Sequence, residues 1–512
     1  MDALVILIPL LPFLAALIIG GGQLFGRLQG ARSEQITADL ATWAITLAFL
    51  MALALLIGDG LGLTRGQFSV GRWLNSDTLN IRINFISSGL HLHLATLFSL
   101  LLAIISQFAI RHLHGEAGFH RWFFSLSLFA AAMLLMLLSA NMVGTFIGWE
   151  IASFCAYLLI GYRYQQLSAT ENALRVLVTH RLGDVGFIIG ISLSYAWLDS
   201  VNWQTLYSAG EPLSVGQATG MSLCFLLAAA VKSAQLPFTP WLARAAEAPT
   251  PANAVVAGGI FSHAGVFLLL LLQPIISQSP FALVILGLIG FSTTLYSYIV
   301  GLSQTDLKTS LVFASSGQIG LMFLECALGF WELAQWHLCA HAVVRCQQYL
   351  SAPRYNKPPL VNSKNPVSPW LFMLSLQRGW LEQITDWALV KPIRGLALDL
   401  SYFDAHIIDR IMGIPALKHL SLLAQQEEHR LGASLDNDSN QFAHGTGVAG
   451  RLTQWAAAIT HWFEDRFVLR GVSNFARRYG RDLGYIATQF EQLFLRPRYL
   501  VLFVCITFLI AF

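Results

Sequence analysis

Apolar runs of 18 or more residues recur along this chain, and they narrow the possible folds more than any other feature. Inside hydrocarbon such a run finds no water for its N–H and C=O groups, so it must close its own hydrogen bonds as a helix. Runs at 3–20, 41–58, 84–110, 121–139, 142–163, 172–196, 219–240, 252–273, 281–302, 308–328, 332–350 and 497–512 predict twelve spans. Only 12% of residues are charged, against about 25% in a soluble domain. The fold class is therefore read as all-α, a polytopic bundle of about 12 transmembrane helices. The first run lacks the basic start of a signal peptide and reads as a retained helix.

The formal net charge of +3 makes no case for nucleic acid. The six cysteines show no CxxC spacing and lie in or beside apolar segments, which fits buried thiols. The loops at 111–121 and 161–175 are net basic, whereas 197–218 holds Asp199 and Glu211 and no Lys or Arg. The positive-inside rule puts the first two in the cytoplasm and, with twelve spans, both termini outside it. Arg65, Arg72 and Arg82 fall on the outer side in this scheme and run against it.

Composition divides the chain into N-terminal transmembrane helices (1–83), a core (84–350), a stretch without a convincing span (351–496) and a last apolar helix (497–512). The third part opens on a polar, proline-rich loop and contains two amphipathic stretches, 379–413 and 452–494, suited to a membrane surface or a partner. Between them, 425–447 reads as a polar linker.

Ionisable residues inside the apolar runs carry the functional question. Lys232 lies in AAAVKSAQLPFTPW and is followed by Pro237 and Pro240, which predict a helix broken just past a buried cation, the seventh in the series. A bare ammonium in hydrocarbon costs from about 2.5 to over 10 kcal/mol, so something must stabilise it or use it. Glu150, Asp184, His263, His337, His341 and Arg345 also lie within spans, and Lys308 stands near a helix start. A carboxylate at Glu150 near Lys232 would hold the ammonium, and its withdrawal would release a proton, making a two-residue switch. The plainer alternative is a static ion pair that fixes helix packing. His337, His341 and Arg345, four residues apart, form one helical row. No third ligand supports a metal at the two histidines. His263 fits a packed histidine as well as a relay member, and Asp184 with His180 and Arg181 fits a local charge cluster. No phosphate loop, nucleophile elbow or paired-cysteine metal site is present, so catalysis within the chain is not expected.

The motifs HGEAGFHRWFFSLSLFAAAMLLMLLSANMVGTFIGWE, KSAQLPFTPWLARAAEAPTPANAV and QTDLKTSLVFASSGQIGLMFL resemble the antiporter-like, proton-translocating subunits of respiratory complex I and of Mrp cation/proton antiporters, over about residues 85 to 350. The resemblance implies that Glu150 and Lys232 form a switching pair. It also implies that Lys308 lies on a central hydrophilic axis, and that Asp184, His263, His337 and His341 belong to a proton relay. The chain departs from the family in two places. Ala257 stands where a histidine is usual, and Arg345 replaces a lysine; a guanidinium does not release a proton, so gating or charge pairing, shared with Arg181, is its expected role.

The second half of the family fold is cut short where the chain leaves the membrane near residue 351. A shortened antiporter-like subunit followed by long amphipathic helices is similar to the DabB-type membrane subunit of inorganic-carbon uptake complexes. That resemblance implies a multi-pass protein of the bacterial inner membrane with no cofactor of its own. It would be driven by protons or Na+ and paired with a large cytoplasmic zinc-containing DabA-type subunit resembling a β-carbonic anhydrase. A complex I or Mrp subunit and a non-conducting scaffold are the rival expectations.

Overall fold

The computed structural model describes residues 1–28, 30–75, 80–208, 213–304, 306–352, 369–403 and 448–463. The chain divides into two compact units, Met1–Val390 and Lys391–Phe512. The first begins with a 3₁₀ turn, Asp2–Ile6, running into α1 (Leu7–Leu24), then α2 (Ala31–Gly60). An antiparallel hairpin of β1 (Gln67–Asn75) and β2 (Asn80–Ile86) leads to α3 (Gly89–His112), α4 (Phe119–Leu138), α5 (Met142–Ile160) and α6 (Leu167–Leu198). After the short α7 (Trp203–Ser208) come α8 (Val215–Lys232), α9 (Pro240–Ala245), α10 (Thr250–Val256), α11 (Ala264–Leu271) and α12 (Gln273–Ile276). The long helices α13 (Pro280–Ser303), α14 (Leu307–Ala327) and α15 (Trp331–Ser351) follow, then α16 (Pro369–Leu376) and α17 (Leu381–Thr385). In the second unit the described helices are α18 (Lys391–Phe403) and α19 (Val448–Phe463).

Among the described residues, nine helices are long and apolar enough to cross a membrane. The chain is a multi-pass membrane helix bundle. Three of the twelve expected spans stand outside those nine. The run at 252–273 is not one helix: α10 stops at Val256 and α11 starts at Ala264, with Gly259 at φ +102 between them. The run at 332–350 is helical as α15, but Glu332, His337, His341, Arg345 and three glutamines lower its hydropathy. The run at 497–512 lies outside the described residues, as do the linker 425–447 and most of 452–494.

The hairpin corrects another expectation. The span predicted over 84–110 begins later than residue 84, since β2 occupies Asn80–Ile86 and α3 begins at Gly89. Ile81 and Phe85 are buried, two of an alternating Ile81, Ile83, Phe85 set. The hairpin is tied to the bundle where α4 gives way to α5. There the Ala140 amide donates to the Asn84 carbonyl at 2.9 Å and Asn141 Nδ2 to the Arg82 carbonyl at 2.8 Å. Asn141 also caps α5, its Oδ1 accepting from the Gly144 amide at 2.7 Å.

At the opposite end the two basic loops meet. Arg121 donates to the Tyr162 carbonyl at 2.6 Å, and Arg163 pairs with Glu116 at 3.1 Å. Close approach of α4 and α5 depends on Gly148, where a Cβ would lie 2.5 Å from the Ala132 carbonyl oxygen. This contact holds α5, and the side chains it carries, against the bundle core of Trp122, Phe123 and Phe129. The first compact unit extends past the composition boundary at 350, because residues 369–390 pack with the membrane helices. Ser375 Oγ donates to the Ile299 carbonyl at 2.9 Å and Tyr296 Oη to the Arg378 carbonyl at 2.8 Å.

Candidate functional site

Lys232 is the last residue of α8 and is 1% exposed. Its Nζ donates to the Trp149 carbonyl at 3.0 Å and to Ser153 Oγ, both on α5. The ammonium also lies 4.3 Å from the centre of the Trp149 ring and 4.6 Å from that of Phe261, an arrangement in which two ring faces stabilise a cation. Ser153 Oγ–H donates to the same Trp149 carbonyl at 2.9 Å, which leaves its lone pairs to Lys232. A buried ammonium is thus held by one backbone oxygen, one hydroxyl and two rings.

The carboxylates stand behind Trp149. Its indole Nε1–H donates to Asp184 Oδ1 at 3.1 Å. Arg181 bridges the two acids, 2.5 Å from Glu150 Oε2 and 3.0 Å from Asp184 Oδ2. The structure therefore places Glu150 in an ion pair with Arg181, while the hydrogen bonds of Lys232 go to Trp149 and Ser153. Glu150 Oε1 is buried and makes no hydrogen bond among the described residues. Arg181 and Asp184 stand about 21 to 26 Å along α6 from its first residue, at 1.5 Å per residue, deep inside the span rather than at its end. His180 lies beside them, buried, its ring 4.7 Å from Trp241 and 5.2 Å from Phe261.

Two helix breaks face each other next to Lys232. Residues Ser233–Thr239 separate α8 from α9 and hold Pro237, while Pro240 opens α9 at a position that needs no N–H. Residues 257–263 separate α10 from α11. Ser233 Oγ donates to the Ser262 carbonyl at 2.8 Å, joining the residue after Lys232 to the residue before His263. The freed backbone finds other partners: Thr293 Oγ1 accepts from the Leu236 amide at 3.0 Å, and Ser316 donates to the Ala234 carbonyl at 3.2 Å. Such backbone is tolerated at membrane depth because protein surrounds it.

Past the second break lies a histidine row whose donors can be assigned. Arg345 Nε–H, a donor only, reaches His341 Nε2 at 3.2 Å. A ring that accepts there carries its proton on Nδ1 and donates it to His263 Nε2 at 2.9 Å. His263 then bears its proton on Nδ1, which is buried and has no hydrogen-bond partner among the described residues. His337 differs: Nδ1 faces Glu325 Oε1 and Nε2 faces Gln318 Oε1, both at 2.9 Å. The Gln318 amide can turn either its oxygen or its NH2 toward Nε2, so it serves the ring in either tautomer. The His337 and His341 rings are 6.1 Å apart, so the two histidines stand in sequence on α15.

The remaining sequence-predicted residue, Lys308, lies apart from the histidines at the start of α14 and donates to Thr250 Oγ1 at 3.1 Å, at the start of α10. The structure also shows residues that sequence reasoning passed over. Trp149, Ser153 and Phe261 surround the ammonium, and Gln318 and Glu325 hold His337. The GWE motif contains Trp149, and only its neighbour Glu150 drew attention. Glu382 was passed over too. It pairs with Arg175 of α6 at 3.1 Å and with Arg244 of α9, while Asp386 takes a second Arg175 nitrogen at 2.6 Å. Residues 381–386 thereby tie α6, which carries Arg181 and Asp184, to the helix that follows the break after Lys232.

Residues 139–358 match the family described as "NADH:quinone oxidoreductase/Mrp antiporter, TM". The matched segment is similar to that of antiporter-like membrane subunits of the complex I and Mrp type. It contains Glu150, Asp184, Lys232, His263, Lys308, His337, His341 and Arg345. Among curated relatives, NADH-quinone oxidoreductase subunit L of Buchnera aphidicola is 34% identical over 284 residues, 55% of this chain and 46% of that protein. A probable inorganic carbon transporter subunit DabB1 of Halothiobacillus neapolitanus is 31% identical over 352 residues, 68% of this chain and 60% of that protein. The chain spans about half the length of the curated relatives it matches. The Mrp complex from Dietzia sp. DQ12-45-1b shares the fold, with a TM-score of 0.57 at 21% identity over 67% of this chain and 37% of that one.

Proposed function

We propose that this subunit conducts protons, with Na+ as the other candidate ion, through a buried relay, and that the flow energises a cytoplasmic partner in inorganic-carbon uptake. The single observation that carries the relay reading is a succession of polar groups across two facing helix breaks, joined by hydrogen bonds and ion pairs except at Lys232–Ser233 and Ser262–His263, where the groups are neighbours in sequence. It runs from Glu150, Arg181 and Asp184 through Trp149 to Lys232, then through Ser233 and Ser262 to His263 and His341. Intramembrane ionisable groups in such a succession fit an ion pathway better than an isolated packing pair does. Glu150 modulates Lys232 through Arg181 and Trp149 rather than by direct pairing. His263, His341 and His337 pass charge onward, Lys308 stands at the cytoplasmic end, and Arg345 bars exit along its own side.

The carbon-uptake reading draws support from the DabB1 relative, of which this chain covers 60%. On that reading the partner is a large soluble zinc subunit that hydrates CO2 to bicarbonate, and any catalysis is there. A second reading, a subunit of a quinone oxidoreductase, draws support from the 34% identity to NADH-quinone oxidoreductase subunit L. Purification of the intact complex followed by mass spectrometry and metal analysis separates the two. Carbon uptake requires one large zinc-bearing partner, and a set of quinone-oxidoreductase subunits would overturn it. The relay is tested by Lys232→Ala and Glu150→Gln in cells expressing the whole complex. Each should abolish uptake, and full transport in both variants would leave the chain a scaffold.

A further inference from the structure

A groove of about 570 Å³ runs between α13 and α14, and among the described residues Arg345 supplies its only charged side chain. Arg345 is 9% exposed on α15, and among the described residues no carboxylate pairs with it. Its two hydrogen bonds go to neutral acceptors, His341 Nε2 and Gln348 Oε1 at 2.7 Å. Among the described residues this permanently charged guanidinium has no counter-anion, and the groove is where one can sit. Ser310, Gln318 and Ser297 add polar groups to the lining, and Ser297 Oγ is buried with no hydrogen-bond partner among the described residues. Apart from the Thr294 and Tyr298 hydroxyls, the remaining wall is apolar. Phe291, Leu295, Tyr298 and Leu302 of α13 form its rim at helical spacing, each about half or more exposed, so the groove opens toward the surrounding acyl chains.

Depth identifies the occupant. Arg345 stands six residues before Ser351, the last residue of α15, about 9 Å in along the helix at 1.5 Å per residue. A long arginine side chain reaches from there to the headgroup level while its stem stays in hydrocarbon. From Arg345 the groove continues toward Gln318, Leu321 and Phe291, near the middle of their helices. One anionic group near the end of the helices followed by an apolar channel toward the midplane matches an amphiphile. We propose that this groove holds one acidic phospholipid, its phosphate on Arg345 and one acyl chain laid between α13 and α14. The binding does not depend on which ion the relay carries.

The test uses the full-length chain, purified with whatever partner accompanies it and exchanged into nanodiscs of phosphatidylcholine containing a minor share of phosphatidylglycerol. Native mass spectrometry under rising collision energy should find one phosphatidylglycerol retained in preference to phosphatidylcholine. Arg345→Gln removes the charge, and Ala314→Trp fills the exposed groove wall while leaving the guanidinium in place. Each should lower retention at least tenfold. Equal retention in both variants, or no preference for the anionic lipid in the unaltered chain, would overturn the proposal. So would a photo-crosslinker at position 314 that labels a polypeptide instead of lipid, since a partner helix would then fill the groove.

Discussion

Ser153→Ala is the most informative single change near Lys232. The Ser153 hydroxyl is one of two hydrogen-bond acceptors on a lysine that is 1% exposed, and its own proton goes to the Trp149 carbonyl. Alanine removes that acceptor without opening a large cavity and is the better helix former, so the fold should persist. A hydrogen bond to a charged group contributes about 1.5–3 kcal/mol. The Trp149 carbonyl and the two ring faces remain and offset part of the loss. At about 1.4 kcal/mol per factor of ten, transport that passes through the ammonium should slow roughly 10- to 100-fold. The assay is proton uptake into proteoliposomes containing the assembled complex, followed with a pH-sensitive dye and normalised to incorporated protein. Ser153→Thr retains the hydroxyl and should recover most of the rate. If Ser153→Ala conducts within about twofold of the unaltered protein, Lys232 is not held for transport in the way its contacts indicate.

Gly265→Ala would place a Cβ 2.3 Å from both the Ala229 carbonyl oxygen and Ser233 Oγ, forcing α11 away from the first break. Overpacking of this kind costs about 1–3 kcal/mol, to be read as a lower thermal denaturation midpoint of the purified complex, and transport should fall with it. Glu382→Gln removes the charge shared by Arg175 and Arg244. These groups are partly exposed, so the loss should stay near 1–2 kcal/mol, seen as faster limited proteolysis of residues 369–390, and high salt should narrow the difference.

The parts of the fold that could be read ahead are those where a local cost declares itself. An apolar run must become a helix, and a lysine followed by Pro237 and Pro240 must end one. The second break gave no such signal, because the run from Val255 to Leu272 is apolar on both sides of Gly258 and Gly259; the left-handed backbone at Gly259 shows only in three dimensions. The hairpin was hidden likewise, its short alternation at Ile81, Ile83 and Phe85 adjoining a much stronger helical run.

Pairing was less legible than position. Glu150 and Lys232 were both recognisable as costly charges, and opposite charges invite the expectation of a direct pair. Two features that the charges themselves do not reveal redirect them. α6 brings Arg181 between Glu150 and Asp184, and α5 turns a carbonyl and a ring toward the lysine. Trp149 then touches both charge systems, donating its indole proton to Asp184 while its carbonyl and ring hold Lys232. A movement of Arg181 away from the acids would change the field on Asp184 and the orientation of the indole together. The lysine would feel both through contacts of 3.0 and 4.3 Å. The coupling expected of a carboxylate beside a lysine is therefore available here without their meeting, and it passes through the residue that stands next to Glu150 in the sequence.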